Sequence, residues 1–173
     1  MELIGEIDIT DSTKVCFLIS TYNDRRYGVV RKFITGGEYV GPTKHGLNAQ
    51  RGVWQGILEL IQLINHDSSN IDTINLGKIK INAGCFAMVS ISYLRGNYYL
   101  QIQKYYESAK YTGPGKGVAI PFIHIEVTKK YLKEIIDLLD ENHIVLDHNS
   151  ENSAISVPIN NIEGVTDEYR EFF

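Results

Sequence analysis

The chain has 173 residues, and its hydrophobic content of 43% is enough for a packed core, which excludes wholesale disorder. Its formal net charge of −4 at first argues against a nucleic-acid partner. The acids are concentrated at one end, however, because residues 143–173 hold six acids and one base, whereas residues 1–142 hold 15 acids and 16 bases. A near-neutral body of this kind can carry a basic stripe.

The sequence also limits the environments in which the protein is expected. No run of about 18 apolar residues is present, so no transmembrane helix is predicted. The first residues, MELIGEIDITDS, lack a basic region followed by an apolar one, so no secretory signal is predicted. Cys16 and Cys85 lack CxxC or Cys/His spacing and are interpreted as small buried hydrophobes in a reducing compartment. We therefore expect a cytoplasmic protein without a metal or other cofactor.

In the first half of the chain, three runs rich in β-branched and aromatic residues predict strands. They span Gly5–Thr10, Lys14–Tyr22 and Tyr27–Thr35, with a hairpin tip at Asn23–Arg26 between the last two. The sequence GPTKHG, residues 41–46, predicts a turn before a short segment at Leu47–Ala49. From Gln50 to Asn65 the apolar residues recur with a helical period, which predicts a helix with one buried stripe.

The same order recurs with an offset of 72 residues. The matched positions include Tyr27 with Tyr99, Lys32 with Lys104, Phe33 with Tyr105, and Gly41-Pro42 with Gly113-Pro114. Strands are predicted over Gly77–Ile81, Cys85–Tyr93, Tyr98–Tyr106 and Val118–Glu126, the last of them after a turn at residues 113–117. Thr128 is expected to cap a final helix that runs to about Glu141. Such a repeat of the sequence pattern at a fixed spacing indicates an internal duplication.

These elements predict an α+β fold built from two ββββα repeats, whose antiparallel sheets pack around a helical centre with a pseudo-twofold axis. The first repeat is assigned to residues 1–70 and the second to residues 71–142, together forming one integrated domain. Residues 143–173 form an acidic-aromatic tail outside the repeats, in which Ala154–Ile159 could add a strand.

Strand alternation sorts the two central runs by face. Leu100 and Ile102 require the core, so the opposite face of the second repeat presents Tyr99, Gln101, Gln103 and Tyr105, and that of the first presents Tyr27, Val29, Arg31 and Phe33. Tyr22 borders this face, and Arg25, Arg26 and Arg95 lie at the hairpin tips. One interpretation is an ordinary antiparallel sheet with one solvent-exposed face. The other is a platform for single-stranded nucleic acid, with bases stacked on the rings and cations along the phosphates.

Two segments carry a resemblance to known proteins. They are VRKFITGGEYVGPTKHGLNAQRGVW, from Val30 to Trp54, and IQKYYESAKYTGPGKG, from Ile102 to Gly117. They resemble the single-stranded-DNA-binding domain of the transcriptional coactivator positive cofactor four, and two such units in one chain resemble the Whirly proteins. The resemblance implies sheets that splay from a helical centre, sequence-tolerant binding of single-stranded DNA at the nucleoid or in transcription, and a closed homo-oligomer, either dimer or tetramer.

The resemblance also implies roles for individual basic residues. The family's basic hairpin tip falls on Arg25, Arg26 and Arg95, its central-strand base on Arg31, and its turn lysines on Lys44 and Lys116. The second repeat departs from the pattern, because Gln103 stands where the first has Arg31, and Asn97 stands where the Whirly hairpin has a lysine. Weaker binding by the second repeat, or a role in assembly, is expected from these departures.

Other chemistry finds little support in the sequence. GPTKHG and GPGKG lack the GxxxxGK[ST] spacing of a phosphate loop, the five histidines lack HxxxH spacing, and no nucleophile elbow occurs, so an enzyme is not predicted. The tail ends in acids and in the aromatics Tyr169, Phe172 and Phe173, which could imitate nucleic acid or dock into a protein partner. Two alternatives stay open: an RNA-binding protein, and an assembly module that binds no nucleic acid.

Overall fold

The computed structural model describes residues 1–64 and 73–148, without the side chains of Thr73 and residues 141–148. Each half forms a four-stranded antiparallel meander followed by a helix. The first sheet contains β1 (Glu2–Thr10), β2 (Thr13–Tyr22), β3 (Arg25–Ile34) and β4 (Gly41–Ala49), followed by α1 (Arg51–Gln62). The second contains β5 (Thr73–Asn82), β6 (Cys85–Leu94), β7 (Asn97–Glu107) and β8 (Thr112–Pro121), followed by a 3₁₀ turn (Phe122–His124) and α2 (Ile125–His148). The predicted α+β class is confirmed. Within the described ranges, no helix is long and apolar enough to cross a membrane.

The glycine-proline segments are strands, and their prediction as turns was wrong. GPTKHG forms the first part of β4, and GPGKG lies inside β8. A Cβ at Gly46 would lie only 2.5 Å from the Val30 carbonyl oxygen, so this glycine permits close approach of β4 to β3. Because β4 is the last strand of its sheet, it also tolerates Pro42, which cannot donate to a neighbouring strand.

The second helix begins earlier and ends later than predicted. Thr128 is not its cap, because it lies inside α2, fully buried, with its Oγ1 donating a 2.8 Å hydrogen bond to the His124 carbonyl. Ile125 is also buried and extends the apolar stripe by one turn toward the amino terminus. Residues 122–126 were predicted to be the end of a strand, but they form the 3₁₀ turn and the start of this helix. The proposed extra strand at Ala154–Ile159 lies outside the described residues.

The two helices exchange sheets. α1 packs on β5 and β6 of the second sheet, whereas α2 packs on β1, β2 and β3 of the first, and the helices pack against each other. One apolar cluster accordingly contains buried residues from both sheets and both helices. Each helix packs mainly on the sheet of the other half, so the core is shared by the whole described chain.

Trp54 of α1 also anchors the helical layer to the first sheet. Its ring is fully buried, and its Nε1 donates hydrogen bonds to the Gly28 carbonyl at 3.0 Å and the Ala49 carbonyl at 3.1 Å. A Cβ at Gly28 would lie 2.5 Å from both Trp54 Nε1 and Ile135 Cγ2. Side chains of both helices therefore converge on β3 at a position with room only for glycine.

The strand geometry of the first sheet recurs in the second at the offset of 72 residues. Tyr27 pairs with Ser20 in β2, and Tyr99 pairs with Ser92 in β6. The register of β3 against β4 shifts between Arg31 and Phe33, and that of β7 against β8 shifts between Gln103 and Tyr105. Tyr39 donates its hydroxyl to the Pro42 carbonyl at 2.5 Å, and Tyr111 donates to the Pro114 carbonyl at 2.8 Å.

Replacing Gly28 with alanine is expected to destabilise the protein by about 1–3 kcal/mol, because the new methyl group overpacks the contact with Trp54 and Ile135. Urea unfolding followed by Trp54 fluorescence measures the change. Gly52→Ala is the matched control, because a Cβ at this exposed position of α1 would meet no atom within 4 Å. Its effect is expected to be neutral or stabilising by up to about 1 kcal/mol. Equal stability of Gly28→Ala and the wild type would contradict the tight contact.

Candidate nucleic-acid interface

The face of the second sheet that was predicted to contact solvent is partly exposed. Leu100 and Ile102 are fully buried on the helix side, whereas the side chains between and beside them are half-buried on the opposite side. These half-buried residues are Tyr99, Gln101, Gln103 and Tyr105. Phe86 pairs with Tyr105 across the strands, and the Lys78 Nζ lies 4.5 Å from the centre of the Phe86 ring. The face thus combines aromatic surface with amides and a nearby cation.

The equivalent face of the first sheet is much less accessible. Val29 packs with Cys16 and Leu18 in a small buried cluster, and Phe33 packs against it half-buried. Tyr27, predicted as a stacking residue, is also buried. The structure therefore does not present the two faces equally, although strand alternation assigned them the same role.

Arg31 lies on this face with only 2% of its surface exposed. Its Nη1 donates to the Thr43 carbonyl at 2.9 Å, and its Nη2 donates to Asn48 Oδ1 at 2.7 Å. Burial lowers the pKa of its guanidinium to about 10. Arg31 ties β4 to β3 across the register shift, and in this conformation its charge is not presented to solvent for a phosphate contact.

The hairpin tips hold the other predicted arginines. The first tip is shorter than predicted, because only Asn23 and Asp24 form it, with φ angles of 48° and 58° that fit a two-residue type I′ turn. Arg26 is paired with Glu2 at 3.0 Å, and Arg25 and Tyr22 are half-buried beside it. Arg95 is exposed at the second tip.

A groove between the two sheets brings together Lys44 and Lys116, which the resemblance had placed in separate turns. It has a volume of about 380 Å³ and is also lined by Lys104, Tyr106 and Gly115. Lys104 and Tyr106 were missed because they share strand parity with Leu100 and Ile102, which assigned them to the core. The sequence did contain an indication of this groove. Lys32 and Lys104 are charged residues at matching positions of the two repeats, on the strand side that was assigned to the core.

A second groove, of about 300 Å³, lies where the first sheet meets β8. Lys32 and His45 line it from the first sheet, and Tyr99 lines it from the second. Tyr99 therefore connects the half-exposed face of the second sheet to a mostly apolar groove that contains Lys32 and His45. Sequence reasoning had assigned no role to Lys32 or His45.

The charges around these grooves act on one another. Burial lowers the pKa of His45, and Lys32, Lys116 and Arg31 lower it further. Burial likewise lowers the pKa of Lys104, with Arg31 adding to the effect. Among the residues with described side chains, no carboxylate forms an ion pair with Lys32, Lys104 or Lys116. An anion that enters would therefore relieve repulsion between like charges.

The remaining polar chemistry is limited. Both cysteines are free, and burial raises the pKa of each thiol, which disfavours the reactive thiolate. In residues 1–64 and 73–148, no three His, Cys, Asp or Glu side chains with described positions group to hold a metal ion. The tail aromatics Tyr169, Phe172 and Phe173 lie outside the described residues. The chain matches no protein-family model and no curated protein.

His45→Gln is expected to make stability less sensitive to pH between about pH 7 and pH 5. Because the folded protein lowers the His45 pKa, the unfolded chain binds a proton first as pH falls below about 6.5, and the wild type loses stability there. Urea unfolding of both proteins at several pH values measures the difference. Parallel pH dependences would show that folding does not lower the pKa of His45.

Proposed function

We propose that this protein is a non-catalytic, sequence-tolerant single-stranded-DNA-binding protein. The observation that carries the proposal is the half-exposed row of Tyr99, Gln101, Gln103 and Tyr105, which adjoins through Tyr99 a groove that contains Lys32. Rings of this kind bind bases by stacking, and a lysine such as Lys32 attracts the phosphates that link the bases. Stacking contributes roughly 1–3 kcal/mol per base, so two rings give useful affinity to a chain whose net charge is negative.

We further propose that the two halves descend from a duplication and are arranged as in Whirly proteins. The recurrence of the register shifts at Arg31/Phe33 and Gln103/Tyr105 supports this, as does the recurrence of the tyrosine-to-proline hydrogen bonds. The second sheet is proposed to carry more of the contact than the first. This reverses the expectation that the second repeat binds more weakly, because the first-sheet counterparts Tyr27 and Arg31 are buried.

Assembly into a homo-oligomer belongs to the same proposal. β1 and β5 each stand at the edge of a sheet and pair with one strand only within the described chain. An edge strand offers backbone donors and acceptors to a second copy. DNA replication, repair or transcription would each use such an assembly on single strands.

Tyr99→Ala combined with Tyr105→Ala is expected to weaken binding of fluorescein-labelled oligo-dT by about 5- to 150-fold for each ring that stacks, because each loses roughly 1–3 kcal/mol. Fluorescence anisotropy at two salt concentrations measures the affinity. The wild type is expected to show a log–log salt slope of about −0.7 for each phosphate contacted.

Tyr99→Phe combined with Tyr105→Phe is the control, because it keeps both rings and removes only the hydroxyls. It should retain most of the affinity. Unchanged affinity in the alanine variant would place the DNA elsewhere, and no binding by the wild type at low salt would overturn the function. Competition by oligo-U as strong as that by oligo-dT would favour RNA as the partner.

A further inference from the structure

The groove lined by Lys44, Lys104, Tyr106, Gly115 and Lys116 has the features of a built anion site. Its lysines come from both sheets, since Lys44 lies on β4 and the others lie on β7 and β8. Its volume of about 380 Å³ falls at the lower end of the range of small-molecule sites, about 300–1,000 Å³. The groove therefore exists only while the two sheets are held together.

Gly115 shapes the floor of this groove. A Cβ at this position would lie 2.5 Å from Tyr106 Cε2 and 3.2 Å from Lys104 Cβ. A side chain on β8 here would displace the ring and the lysine stem that form the wall. The Tyr106 ring is further held by Tyr111, whose ring centre lies 6.1 Å away. The Tyr106 ring thus forms an aromatic wall of the groove, beside its lysines.

The charge of Lys104 is costly to keep in this groove without an anion. Lys104 is half-buried, its pKa is lowered chiefly by burial, and no described carboxylate pairs with it or with Lys116. Like charges in a partly desolvated site repel each other unless a counter-charge enters. Groups whose pKa is shifted by burial are found preferentially at functional sites.

We propose that this groove is a phosphate-binding site, in which the lysines hold a phosphate group while Tyr106 contacts the attached sugar or base. The site rests on the proposed function in one respect, because we assign the phosphate to the backbone of a single strand. Phosphate is the matching chemistry because its oxygens can accept hydrogen bonds from several ammonium groups at once. The site gives the strand an anchor between the two sheets, on the side of β7 opposite the row from Tyr99 to Tyr105.

The test uses the full-length protein and inorganic pyrophosphate as the probe, with ionic strength held constant. Pyrophosphate is expected to raise the Tm of the wild type, because a ligand that binds only the folded state stabilises it. Lys104→Gln and Lys116→Gln are each expected to weaken pyrophosphate binding about tenfold or more, the effect of losing a charge-assisted hydrogen bond. Without pyrophosphate, Lys104→Gln is expected to melt at or above the wild-type temperature, because a half-buried charge near Arg31 is gone.

Lys133→Gln is the matched control, because it removes the same charge from an exposed position on α2. It should respond to pyrophosphate as the wild type does. Lys116 is exposed on β8, so its variant keeps the test decisive if Lys104→Gln does not fold. Equal stabilisation of the control and both groove variants, or no stabilisation of the wild type, would overturn the site.

A second arm with oligo-dT separates this site from the proposed function. Each groove variant should make the log–log salt slope shallower by about 0.7, which corresponds to one lost phosphate contact. If pyrophosphate binds as expected but oligo-dT does not bind, the groove is retained as a site for a small phosphate compound, and single-strand binding is overturned. If oligo-dT binds all four proteins with one slope and pyrophosphate fails, single-strand binding stands and the site is overturned.

Discussion

The contact of Trp54 with Gly28 is the constraint on which the rest of the structure depends. The indole needs an acceptor when it is buried, and it finds two carbonyls because β3 lacks a side chain at that point. Ile135 of α2 also packs against Gly28, where no side chain is present. One missing methyl group therefore sets how closely the helical layer approaches the first sheet, and with it the position of β4 beside β8.

Much of the fold could be predicted from the sequence, because strand alternation and the recurrence after 72 residues are strong local signals. The errors arose where a residue type has two uses. Glycine and proline in GPTKHG suggested a turn, but they serve a close strand approach at the edge of a sheet. Thr128 resembled a helix cap, but its hydroxyl bonds to the carbonyl of the preceding turn.

The candidate site was only partly predictable, for a related reason. Parity tells which side of a strand a residue occupies but not what lies against that side. Arg31 is on the predicted face and is buried there, whereas Lys104 is on the core side and reaches a groove beyond the end of the core. The contacts of Arg31 with Thr43 and Asn48 come from the neighbouring strand, and the groove at Lys104 is formed together with the other sheet, which is information that no single strand contains.

The exchange of helices has a consequence for synthesis. The first sheet is complete once Ala49 has been made, but most of its apolar face, apart from the part under Trp54, stays uncovered until α2, which begins at Ile125, leaves the ribosome. The chain must therefore hold an exposed β-sheet surface while residues 50–124 are made, and during this time chaperone binding or aggregation competes with folding. A ββββα unit expressed alone would lack the helix that covers its sheet, and would need a second copy to supply it. Under the proposed duplication, the ancestral single unit would have been a helix-exchanged dimer, and fusion of two units would have replaced association of two molecules by folding within one chain.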